Sequence, residues 1–184
     1  MTKRITYLSL LIAIAIILGY LETFIPINFG IPGAKLGLAN LIGLIALYRF
    51  GFRDALIITL LRVFIIASVF TNYYMFLYSL SGALLSLVIM VLLKKTKLFS
   101  TLIISISGAI FHNLGQILVA LIFYGFNIIY YLPYLIILSL ITGSVIGILG
   151  QIILAKLPKH YHNELFFTKK RNFFLFKQQY NSHF

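Results

Sequence analysis

The chain has 184 residues, of which 61% are hydrophobic and only 10% charged, a balance that excludes a water-soluble domain. Its net charge of +12 comes from Lys and Arg placed between and after apolar runs, which is how a membrane protein meets lipid headgroups and not how a nucleic-acid binder is built. With no cysteine, there is no disulfide framework and no thiolate metal site.

A helix that crosses a bilayer needs roughly 20 mostly apolar residues, with a range of about 17 to 25. Six such spans are predicted, over about 5–21, 36–51, 54–71, 73–93, 98–124 and 132–155. Lys3 and Arg4 before an apolar stretch resemble a signal peptide. No small-x-small cleavage site follows and further spans do, so this stretch is read as a retained first helix. Within it, Ser9 and Ala13 are four apart, as are Ala15 and Gly19. Small residues at that spacing suit either an internal seam or a docking surface for a partner helix.

A charge-poor loop, Thr23 to Gly30, leads into Pro32-Gly33-Ala34-Lys35-Leu36-Gly37-Leu38-Ala39-Asn40 and the short second span. Gly33 and Gly37 are four apart and Asn40 follows by three, so on a helix all three share one face. The small residues permit close approach, Asn40 and Lys35 supply hydrogen-bond donors, and Lys35 supplies charge. Two readings stay open: a binding site at the outer mouth of a bundle, or a helix N-terminus packed through glycines with a snorkelling lysine.

The third span carries Arg62 near its middle. A central Arg costs about 2.5–3.5 kcal/mol on insertion scales, so it is predicted to face the interior. It would meet an anionic ligand, or it would hold helix ends or Glu22, with Asp54 as another candidate counter-ion. On the fourth span, Ser79, Gly82 and Ser86 form a small-residue face, and Lys94-Lys95-Thr96-Lys97 follows it.

The fifth span has the densest polar stripe: Ser105, Gly108, Ala109, His112, Asn113, Gln116 and Ala120 fall on one helical face. His112, Asn113 and Gln116 together would hydrogen-bond a polar ligand headgroup, or would bond helix to helix. A metal site is not expected, since the other histidines (His160, His162 and His183) are all in the tail. Gly125-Phe126-Asn127 breaks the chain before the sixth span, on which Ser139, Gly143, Gly147 and Gly150 make another close-packing face. The expected division is a transmembrane substrate-binding domain over 1–155 and a basic, aromatic cytoplasmic tail over 156–184, lying on anionic lipid or poorly ordered.

If the N-terminus is cytoplasmic, every Lys and Arg except Lys35 and Arg62 falls on that side or in the tail. The positive-inside rule therefore places both termini in the cytoplasm, in agreement with an even number of spans. The acidic residues are only three, Glu22, Asp54 and Glu164. That leaves no Asp-rich motif to hold Mg²⁺ against a diphosphate, no phosphate-binding glycine loop and no nucleophile–base set. An enzyme or an ATP-driven pump working alone is not expected, and no cofactor is implied.

Four ordered motifs carry a resemblance. The Pro32–Asn40 stretch, Leu61-Arg62-Val63, Ser79-Leu80-Ser81-Gly82-Ala83-Leu84-Leu85-Ser86 and Gly108-Ala109-Ile110-Phe111-His112-Asn113-Leu114-Gly115-Gln116 resemble the bacterial membrane family labelled heptaprenyl diphosphate synthase component I, also called the Gx transporter family. That family looks like the substrate-binding (S) components of energy-coupling-factor (ECF) transporters, six-helix proteins with cytoplasmic termini. The resemblance implies uptake of a vitamin or cofactor precursor across a bacterial plasma membrane, with a coupling membrane protein and two ATPase subunits as partners. The family's docking face is an Ala-xxx-Ala-type pattern on the first helix, to which Ser9-xxx-Ala13 is the nearest match.

The expectation is thus an all-α integral membrane protein of six transmembrane helices that captures a small, anionic substrate. Gly33, Lys35, Gly37, Asn40, Arg62, His112, Asn113 and Gln116 are its candidate binding residues and Ser9 and Ala13 its candidate docking residues. Membrane lipids are its surroundings. The alternative is a non-catalytic membrane partner in polyprenyl diphosphate or quinone synthesis.

Overall fold

A computed structural model describes residues 2–24, 37–70 and 73–157; Gly33, Lys35 and nearly all of the tail lie outside these. The described chain folds into α1 (Thr2–Phe24), α2 (Leu38–Arg49), α3 (Phe52–Phe70), α4 (Tyr73–Thr96), α5 (Thr101–Tyr124), a 3-10 turn (Phe126–Tyr131) and α6 (Leu132–Lys156), with no strand among the described residues. The breaks have local causes. Ser100 caps α5 by accepting a hydrogen bond from Ile103 N at 3.4 Å. Gly125, at φ 73, ends α5, and Pro133 occupies the first turn of α6, where its missing N–H costs nothing.

Four stretches, Arg4–Glu22, Tyr73–Thr96, Thr101–Tyr124 and Phe126–Lys156, are long and apolar enough to cross a membrane, the signature of a multi-pass membrane protein. The expected six spans are thus six helices of unequal kind. α3 has 19 residues but carries Arg53, Asp54 and Arg62. α2 has only 12 residues, about 18 Å of helix at 1.5 Å per residue, against a hydrocarbon core of about 30 Å. Its apolar run is explained by position: Leu41 to Leu47 are all buried, because α2 packs on α1, α3, α4 and α6. A helix apolar all round is a central one.

The other helices turn large apolar side chains outward, among them Ile17, Phe64, Ile122, Ile137 and Ile141, each more than half exposed, which suits lipid and not water. α5 packs most extensively, on α4 to one side and α6 to the other. Small residues set both seams. A Cβ on Gly115 would meet Ser81 O at 2.8 Å and Gly82 Cα at 2.9 Å, and one on Gly143 would meet Ile106 Cα at 2.7 Å. Ser81 donates to Gly115 O at 2.6 Å across the first seam, and Ser105 to Gly143 O at 2.9 Å across the second. Gly82 of the fourth helix and Gly143 and Gly147 of the sixth sit in close-packed seams against α5, whereas Gly150 faces Leu44 of α2.

Arg4, Asp54, Arg49 and Lys94 gather at one end. Arg4 of α1 donates to both carboxylate oxygens of Asp54 on α3 at 2.7 Å. Arg49, ending α2, donates to Leu154 O at 2.6 Å and also to Leu157 O, at the end of α6. Lys94, in the last turn of α4, donates to Leu47 O at 2.6 Å and lies 4.7 Å from the centroid of the Tyr48 ring. Each cation neutralises a carboxylate or the negative end of a neighbouring helix.

Candidate functional site

At the opposite half of the bundle the polar residues face inward to space. Gly37 adopts a left-handed conformation (φ 76), and Asn40 N donates to its carbonyl at 2.8 Å, so the chain turns and α2 begins at Leu38. This corrects the expected helical face shared by Gly33, Gly37 and Asn40: Gly37 precedes the helix. The turn still brings Gly37 and Asn40 to the same place. Arg62 sits on the inner face of α3 with Thr59, Val63 and Ile66, all buried, while Leu60, Leu61 and Phe64 face out. Its Nη2 donates to Asn40 Oδ1 at 3.3 Å.

Two small cavities adjoin here. The first, about 40 Å³, is lined by residues including Glu22, Asn40, Arg62, Ser79, His112 and Gln116. The second, about 20 Å³, shares Gly37, Asn40 and His112 with it and adds Asn113, Ser86 and Thr142. Each is sized for a few water molecules or one small polar group. Glu22 and Arg62 are both only 8% exposed.

The candidate residues therefore divide. Gly37, Asn40, Arg62, His112 and Gln116 line the first cavity together. Asn113 lines the second with its Nδ2 turned to α6, donating to Ser139 Oγ at 2.7 Å and Leu135 O at 3.2 Å. Gly33 and Lys35 lie outside the described residues. On α1, Ser9 and Ala13 are exposed, whereas Ala15 and Gly19 are buried, Gly19 against Ile66 and Ala39. The two small-residue pairs thus belong to two different faces. Among the described residues no cluster of metal-ligating side chains occurs.

Sequence reasoning named Glu22 only as a counter-ion and took Ser79 and Ser86 as packing residues; all three line the cavities. The acid at the far end of the first helix was the available signal for Glu22. Asp54, the other candidate counter-ion for Arg62, is held by Arg4 instead.

The family profile described as heptaprenyl diphosphate synthase component I matches residues 11–153, which contain every residue lining the two cavities. The chain belongs to the heptaprenyl diphosphate synthase component I family. No curated protein and no solved structure matches it. The matched region ends inside the last turn of α6.

Proposed function

We propose that this protein is a non-catalytic substrate-capture subunit, spanning a bacterial plasma membrane with six helices and both termini in the cytoplasm. The observation that carries the reading is that two buried charged residues, Glu22 and Arg62, line one cavity with Asn40, His112 and Gln116 inside a largely apolar bundle. Polar groups in such a place are costly and mark sites where something polar is received. Arg62 would meet an anionic group of the ligand, while Asn40, His112, Asn113 and Gln116 would orient it and Gly37 would allow close approach. Lys35 and Gly33, named with these residues from the sequence, lie outside the described residues. The charge pattern supports the orientation: the basic end faces the cytoplasm and the cavity half faces out.

In this reading the ligand is a small vitamin or cofactor precursor. An ECF-type coupling membrane protein and two ATPase subunits supply the energy, docking on the exposed Ser9–Ala13 face of α1. A second reading is favoured by the family's description: the chain is the membrane partner of a separate polyprenyl diphosphate synthase. Mass spectrometry of proteins that co-purify with the tagged chain in mild detergent separates the two. ATPases with a coupling membrane protein are expected; a soluble prenyl synthase in their place would overturn the uptake reading.

A further inference from the structure

Arg62 and Glu22 line one cavity, and both are more than nine-tenths buried. Asp54, at the far end of α3, is occupied by Arg4, so among the described residues Glu22 is the carboxylate that shares a cavity with Arg62. Among the described residues the remaining polar side chains lining this cavity, Asn40, Ser79, His112 and Gln116, are hydroxyl, amide and imidazole groups. A free anion approaching Arg62 therefore also approaches Glu22, and in a bundle of low dielectric the repulsion offsets much of the attraction.

We infer that Glu22 sets the charge selectivity of this cavity, so that its ligand presents an anionic group to Arg62 and, beside it, a cationic or hydrogen-bond-donating group to Glu22. The ligand class is a zwitterion or an acid bearing an amine, amide or amidine close to its anionic group. A bare phosphate, or a diphosphate whose only neighbour is a hydrocarbon chain, does not satisfy both walls. This deepens the capture reading and rests on it.

The test uses the purified full chain in detergent with two probes, inorganic phosphate and methylammonium, read by thermal stabilisation over a concentration series. Wild type is expected to respond to neither at millimolar concentration, since each probe satisfies one wall and opposes the other. Glu22→Gln should gain phosphate binding at least about tenfold tighter than wild type, and Arg62→Gln should gain methylammonium binding by a similar factor. The two variants are mirror images, so if one fails to fold the other still decides. Stabilisation of wild type by phosphate overturns the inference and leaves the cavity as an anion site, with the capture reading intact. No response from either folded variant overturns the inference, because removing one charge then opens the cavity to neither probe, while the capture reading is decided by the co-purifying subunits.

Discussion

The two ends of this bundle use charge in different ways. At the basic end Arg4 closes on Asp54 at 2.7 Å, while Arg49 reaches Leu154 O and Lys94 reaches Leu47 O at 2.6 Å. At the other end Arg62 makes a longer contact, 3.3 Å to Asn40, and lines open volume with Glu22, His112 and Gln116. Charged groups at the basic end close on protein acceptors; those at the other end border open volume. The difference lies in geometry and not in residue type.

That contrast can be broken in several ways. Both ends depend on the seam between α4 and α5, so Gly115→Leu should have the largest effect. Its side chain must enter space where Ser81 O and Gly82 Cα stand 2.8 and 2.9 Å from the Cβ position. A loss of about 1–3 kcal/mol or more is expected, seen as a fall in the thermal midpoint and loss of monodisperse protein. Retained wild-type stability would mean that the seam is looser than described.

Asp54→Asn should come next, removing the buried partner of an Arg4 side chain that is itself 42% exposed. Partial solvation of Arg4 limits the cost to about 1–2 kcal/mol of thermal stability. Co-purified ligand per folded molecule should not change; a drop would show that the two ends are coupled.

Asn40→Ala should do the reverse. One hydrogen bond at 3.3 Å contributes about 0.5–1.5 kcal/mol at most, so stability should fall little. The amount of small molecule retained by the folded protein, measured by mass spectrometry, should fall at least about fivefold. Equal retention would remove Asn40 from the site. Lys94→Met should be the mildest change, about 0.5–1 kcal/mol from one carbonyl contact and one cation–π contact, with retention unaffected.

Much of the helical framework was legible because an apolar run of given length states its own extent. The predicted spans 54–71, 73–93 and 98–124 differ from α3, α4 and α5 by only a few residues at each end. Arg62 was legible as interior from its insertion cost alone, and it is 8% exposed. The stripe on the fifth helix was legible as one face, yet its members do different work. Asn113 and Ser105 bond to α6, Gly108 packs on Met90 of α4, and His112 and Gln116 line the cavity. Periodicity reports that residues share a face and is silent on which neighbour that face meets.

What the sequence determined by itself was the helical class, the places where helices break and the gathering of basic residues at one end. Those follow from local composition, from Gly and Pro conformational limits and from the alternation of direction along the chain. The tertiary structure alone decided that Asp54 belongs to Arg4 and Glu22 to the cavity of Arg62, that α2 begins after a left-handed Gly37, and that α2 lies at the centre. The physical reason is that a buried charge is settled by whichever partner the packing brings within reach, and residues far apart in the chain carry no local signal of that meeting.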